Sequence, residues 1–192
     1  MNKRELIQQL YAIDAIKLGD FLLKSGVRSP IYIDLRVLIA YPQLLRNVAN
    51  IMWQEIKYLN YKLICGVAYT ALPIATCVSL DNNIPMLLCR KEQKDYGTQK
   101  RIEGLFSAGQ HCIVFEDVIT SGGSVIDTVN LLRQESLIVT DVISFIDREQ
   151  GGRSKIEQID CRLFSVFTMT ELLEELRQIC NKEQLRLIAQ LV

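Results

Sequence analysis

Two hydrophobic periods alternate along the chain, and their order predicts its architecture. Leu6, Ile7, Leu10 and Ile13 recur at helical spacing, which predicts a short amphipathic helix at the start. Gly26 and Pro30 break the pattern, and an alternating, strand-like stretch follows around Ile31 and Ile33. Pro42 suits the first turn of a second helix, whose buried face is Leu44, Leu45, Val48, Ile51 and Met52. Beyond it, short apolar runs at 63–67, 86–89, 112–115, 139–146 and 163–167 read as strands. Residues 70–80 and 123–135 read as helices, and the stretch beyond Thr170 looks helical to the end. Residues 90–100 are polar and carry no apolar period. Buried strands separated by helices imply βαβ units, hence an α/β fold with a mostly parallel central sheet flanked by helices. No repeat or linker interrupts the pattern. The expectation is a single domain over 1–192, with a small N-terminal hood to about 40, a core to about 170 and a C-terminal helical segment.

Composition narrows the partners. Lys plus Arg number 22 and Asp plus Glu also 22, so the formal net charge is zero. Nucleic-acid binders usually carry a basic surplus, so none is expected as a partner, and any anion must be held by a local cluster. The six cysteines form no C-x-x-C pair and sit mostly in apolar runs, which predicts reduced thiols rather than a disulfide or zinc framework. MNKRELIQQL carries a Glu and is amphipathic, unlike a signal peptide, and no apolar run approaches the ~20 residues of a membrane span. A cytoplasmic protein without membrane contact is expected. His111 precedes a strand and reads as a surface residue, and Trp53 as helix packing, so no histidine chemistry is expected.

Ligands of open α/β sheets sit beyond the carboxyl ends of the strands, and the polar and glycine-rich segments of this chain concentrate there. Strand 112–115 runs directly into Glu116, Asp117, Val118, Ile119, Thr120, Ser121, Gly122, Gly123 and Ser124, where a helix begins. Backbone amides in a small-residue loop at a helix N-terminus bind anions, and the three hydroxyls add donors. Ionised carboxylates only accept hydrogen bonds, so two of them beside a phosphate suit sugar hydroxyls. A ribose phosphate fits both ends; solvated acids before a glycine turn is the plainer reading. The loop is neither a Walker motif nor G-x-G-x-x-G. RKEQKDYG, from Arg90 to Gly97, reads alone as a solvated, mixed-charge surface loop. Arg148, between Asp147 and Glu149, reads alone as a surface ion pair.

VFEDVITSGGS resembles the phosphoribosyl pyrophosphate signature of type I phosphoribosyltransferases. The resemblance implies that fold, with Glu116 and Asp117 on the ribose hydroxyls, Asp117 acting in catalysis, and the loop from Val118 to Ser124 on the 5′-phosphate. RKEQKDYG resembles the catalytic loop of the orotate phosphoribosyltransferases, R-K-E-x-K-D-x-G. That likeness implies that Arg90, Lys91, Lys94 and Tyr96 hold the pyrophosphate, with Lys94 stabilising its departure. The family's loop reaches into the neighbouring subunit, which implies a homodimer with shared active sites. The segment CGVAYTALP is similar to the family's pyrophosphate turn, which implicates Tyr69 and Thr70. Lys24, Tyr32, Ile33, Thr120 and Arg148 match orotate-contacting positions, with Arg148 on the orotate carboxylate. Mg2+ is implied as cofactor, held mainly by substrate oxygens and water rather than by the protein.

The resemblance runs from Tyr11 to about Phe167 and is nearest to the transferase half of bifunctional uridine monophosphate synthases. It implies transfer of phosphoribose to orotate in pyrimidine biosynthesis, on a stand-alone transferase whose product goes to a separate orotidine monophosphate decarboxylase. Thr70 stands where many bacterial members have Lys, Tyr96 where many have His, and Glu116 replaces the first of two Asp. A purine phosphoribosyltransferase is opposed by Lys24, Arg148 and the catalytic loop. A non-catalytic sensor of phosphoribosyl pyrophosphate is opposed by the retained Lys94 and the balanced charge.

Overall fold

The computed structural model describes residues 2–22, 26, 28–90, 101–181 and 185–186. Helix α1 (Lys3–Ala12) starts at a capping box, in which Asn2 accepts from the Glu5 amide and Glu5 accepts in return from the Asn2 amide. It buries Leu6, Ile7 and Leu10. An antiparallel hairpin follows, β1 (Ile16–Leu22) and β2 (Arg28–Ile33), with a bulge between Leu18 and Phe21. β1 is absent from the sequence reading: its half-buried residues show no clean alternation. A 3-10 turn (Leu35–Ala40) leads to α2 (Pro42–Ile56), which begins at Pro42 as predicted and buries Leu44, Val48, Ala49, Met52 and Ile56.

The central sheet has strand order β5-β4-β3-β6-β7-β8. Its strands are β3 (Leu63–Gly66), β4 (Met86–Cys89), β5 (Ile102–Glu103), β6 (Cys112–Ile119), β7 (Asp141–Asp147) and β8 (Arg162–Thr168). All pairings are parallel except that of the short edge strand β5 with β4. The crossovers are α3 (Ala71–Asn82) and α4 (Gly123–Gln134), with α5 (Gly152–Glu157) between β7 and β8 and α6 (Met169–Arg177) after β8. α3 packs on β3 and β6 and on α2, while α4 packs on β6 and α5. All seven residues of β7 are buried, as a strand covered by helices requires. The buried side chains form one cluster that runs from Leu6 through Ile16 and Ile31 to Leu176, so hairpin and sheet share a core.

Several boundaries differ from those predicted. β6 runs four residues past Phe115, β7 starts at Asp141 and includes Asp147, and α6 stops at Arg177. The six cysteines are free, Trp53 packs edge-on to Tyr61 at 6.1 Å, and no helix among the described residues is long and apolar enough to cross a membrane.

Candidate active site

The strand order reverses between β3 and β6: the chain steps outward from β3 to β4, then outward the other way from β6 to β7 and β8. A crevice opens at such a reversal, so the turns leaving β3 and β6 border one site.

β6 overhangs β3 there. Its last partner on that side is Gly66, opposite Phe115, and the Val67 amide donates to the Phe115 carbonyl at 2.9 Å. From Glu116 onward β6 pairs with β7 alone, Glu116 opposite Ser144 and Ile119 opposite Asp147. The two acids thus lie inside the strand, on its open flank, and not beyond its end as the sequence predicts. Glu116 is buried and accepts from the Asp117 amide at 3.0 Å; Asp117 is half-buried.

The loop that follows wraps a cavity of about 150 Å³, with Thr120, Ser121 and Ser124 exposed around it. Gly122 caps α4 at φ 78° and ψ 0°, a left-handed conformation that glycine adopts without strain. Among the described residues no side chain caps this helix, which leaves its first amides open to an anion. An uncapped helix start beside a hydroxyl-bearing loop is built for an anion such as phosphate.

The turn after β3 forms the other wall. Its Ala68–Tyr69 peptide is cis, Tyr69 is exposed, and Thr70 begins α3 without a side-chain cap. A cavity of about 580 Å³ lies between this turn and α4, with Val67, Ala68, Arg90, Arg101, Ser124 and Asp127 on its walls. Arg90 is ion-paired to Glu103 of β5, and its amide donates to the Arg101 carbonyl at 2.9 Å.

A third turn, after β7, hangs on the strand that carries the loop: the Arg148 amide donates to the Ile119 carbonyl at 2.9 Å. Asp147 is 1% exposed and accepts from the Glu149 amide (2.9 Å) and from Arg153 Nε (3.0 Å). Arg153 also donates to the Leu163 carbonyl (2.7 Å) and the Ser165 hydroxyl (3.2 Å). Glu149 accepts from Thr170. With both flanking acids engaged elsewhere, the surface ion pair read from the sequence does not form: Arg148 joins no salt bridge among the described residues. Its Nε is buried without a hydrogen-bond partner, and burial lowers the guanidinium pKa from its ordinary value. A half-buried, unneutralised cation is a place for an incoming carboxylate.

No model of a known protein family matches the chain. Individual relatives do. Uridine 5′-monophosphate synthase of Bos taurus is 47% identical over 175 residues, which are 90% of this chain and 36% of that protein. The chain therefore spans about a third of that relative. Orotate phosphoribosyltransferase of Chlamydia caviae is 44% identical over 177 residues, 91% of this chain and 86% of that protein. Among solved structures, orotate phosphoribosyltransferase from Aeropyrum pernix superposes with a TM-score of 0.81 at 30% identity, over 90% of this chain and 98% of that one. The chain belongs to the orotate phosphoribosyltransferase family. It is a glycosyltransferase of pyrimidine biosynthesis with the type I phosphoribosyltransferase fold.

For an orotate phosphoribosyltransferase the sequence-predicted residues fall into three groups. Tyr69, Thr70, Arg90, Glu116, Asp117 and the loop from Val118 to Ser124 gather around the strand reversal, and the Arg148 backbone is tied to that loop's strand while its side chain lines the cavity beside α6. Tyr32 and Ile33 are half-buried on the hairpin, where the Tyr32 ring packs on Phe21 at 5.5 Å and its hydroxyl accepts from Arg36. They do not line the cavities at the reversal. Lys24, Lys91, Lys94 and Tyr96 lie outside the described residues. The sequence reading assigned no role to Arg153 and Thr170, which brace the Arg148 turn, or to Gly152, which packs against the phosphate loop. The doubled glycine after Gln150 was the only local signal for any of them.

Proposed function

We propose that the crevice binds phosphoribosyl pyrophosphate and orotate together and joins them in line. The orotate ring nitrogen attacks C1 of the ribose, the bond from C1 to the pyrophosphate oxygen breaks, and orotidine 5′-monophosphate and pyrophosphate leave. The observation that carries the reading is the anchoring of Arg148, without a carboxylate of its own, to the strand that ends in the anion loop. A cation poised for the orotate carboxylate is thereby held in fixed register with the phosphate of the sugar.

The residues then divide the task. The first amides of α4 and the hydroxyls of Thr120, Ser121 and Ser124 hold the 5′-phosphate. Glu116 and Asp117 accept from the ribose hydroxyls, and Asp117 stabilises the positive charge that develops on the sugar. The turn at Tyr69 and Thr70, with Arg90, Lys91, Lys94 and Tyr96, receives the pyrophosphate. Lys24, Tyr32, Ile33 and Thr120 frame the orotate ring, with Arg148 on its carboxylate. Mg2+ would be held mainly by substrate oxygens and water, with the hard carboxylate oxygens of Glu116 and Asp117 nearby, and would supply neutralisation of charge on the leaving group. The likeness of RKEQKDYG to a loop that crosses between subunits supports a homodimer with shared sites. Six free cysteines support a reducing, cytoplasmic setting for the enzyme. The product passes to an orotidine monophosphate decarboxylase.

With Mg2+ and phosphoribosyl pyrophosphate, the absorbance of orotate is expected to fall, while adenine, hypoxanthine and uracil stay unconsumed. Turnover of any of those three in preference to orotate overturns the reading. Arg148→Ala removes the carboxylate's partner. Loss of a charge-assisted pair of about 2–3 kcal/mol raises the orotate dissociation constant roughly 30- to 150-fold, leaving that of phosphoribosyl pyrophosphate unchanged. Titration calorimetry with each ligand separates the two, and an unchanged orotate constant removes Arg148 from base recognition.

A further inference from the structure

Arg148 is followed in sequence by an acid, Glu149, that ought to neutralise it. Oppositely charged side chains on one tight turn attract, and a guanidinium paired internally is a poorer host for a ligand carboxylate. The structure shows what prevents the pairing. Glu149 adopts φ 56°, and its carboxylate Oε2 accepts twice from a single residue, from the Thr170 amide at 2.8 Å and from the Thr170 hydroxyl at 2.7 Å. Thr170 lies in the first turn of α6, where amides lack helix partners and a negative charge is favoured by the helix dipole. Thr168 satisfies the Glu171 amide of the same turn at 3.1 Å, so Glu149 takes the neighbouring one. The other flanking acid, Asp147, is occupied by Arg153 and by the Glu149 amide. A cavity of about 370 Å³ lies beside Arg148, lined also by Met169, Thr170, Leu173 and Arg177.

We propose that Thr170 is a positioning residue for base recognition: its two donors hold Glu149 at the start of α6 and so keep the Arg148 guanidinium free for the substrate carboxylate. Thr170 is assigned no contact with substrate. It acts through Glu149, and its effect falls on orotate binding alone, because the phosphate loop is held by other contacts. The inference rests on the proposed role of Arg148 as the carboxylate's partner.

The test is a set of variants read by the two Michaelis constants. Thr170→Val keeps the shape and the amide but removes the hydroxyl donor. It is expected to raise the orotate KM about tenfold, the equivalent of one partly restored internal ion pair, with the KM for phosphoribosyl pyrophosphate and the Tm unchanged. Thr170→Ser, which keeps the donor, restores the wild-type value. Adding Glu149→Gln to Thr170→Val removes the competing charge and brings the orotate KM back to within about threefold of wild type. An unchanged orotate KM in Thr170→Val, or a rise that Glu149→Gln does not relieve, overturns the proposal. Arg148→Ala run alongside distinguishes its failure from failure of the reading beneath it. If that variant weakens orotate while Thr170→Val does not, only the clamp is wrong; if neither does, the carboxylate site itself is elsewhere and both fall.

Discussion

Lys94→Ala lowers kcat by roughly several hundredfold, corresponding to about 3–4 kcal/mol of lost transition-state stabilisation, and leaves the Tm where it was. As the ribose–pyrophosphate bond breaks, negative charge collects on the departing oxygens, and a cation placed there stabilises that state more than the ground state. The described part of the crevice is short of such cations. Thr70 stands where many bacterial relatives are expected to carry a lysine, and Arg90 is already paired with Glu103. The burden falls on the basic loop, and within it on Lys94. A near-normal kcat moves the role to another cation, with Arg101 on the cavity wall the first to examine. The same variant tests the shared site. Mixed with Asp117→Asn protein, it rebuilds one competent site per heterodimer if the loop crosses between subunits, so activity returns on mixing. No recovery from two inactive parents counts against crossing.

Much of this site is legible in the sequence because its chemistry is local. An anion loop needs consecutive small and hydroxyl residues at a helix start, and VITSGGS displays them in order; buried strands need unbroken apolar runs, and β3, β4 and the first half of β6 have them. What failed was everything set by partners distant in sequence. From the sequence the strand at Cys112 stops at Phe115, where charged residues follow, yet pairing with β7 extends β6 to Ile119, and β6 holds Glu116 and Asp117 within it. Arg148 resembled a surface ion pair because two acids flank it. Only the structure shows Asp147 drawn to Arg153, and Glu149 to a threonine twenty-one residues away. β5 spans two residues and α5 six, too short to show a period at all.

Gly152→Ala is expected to damage binding of phosphoribosyl pyrophosphate although it lies outside the phosphate loop. Gly152 starts α5, some thirty residues after the loop it supports, and presses directly on it. A Cβ there would lie 2.5 Å from Ile119 Cγ2, 2.7 Å from the Thr120 carbonyl oxygen and 3.2 Å from the Gly122 nitrogen. Two of those neighbours are backbone, so no side-chain rotation relieves the overlap; either α5 or the loop must move. Displacing a loop by a fraction of an ångström spoils the aim of its amides, and misplacement on the scale of 1 Å costs about a hundredfold in rate. The expected result is a fall of roughly that size in kcat/KM for phosphoribosyl pyrophosphate, with overpacking costing about 2–3 kcal/mol and the Tm falling by roughly 5–10 °C. Gly151→Ala is the control that separates strain from collision. At φ 84° an alanine is disfavoured by about 1–2 kcal/mol, but nothing lies within 4 Å of the added methyl. That variant should lose stability while keeping its KM for phosphoribosyl pyrophosphate. If both variants lose stability and neither changes that KM, the contact between Gly152 and the loop is packing alone, and the loop's geometry is set elsewhere.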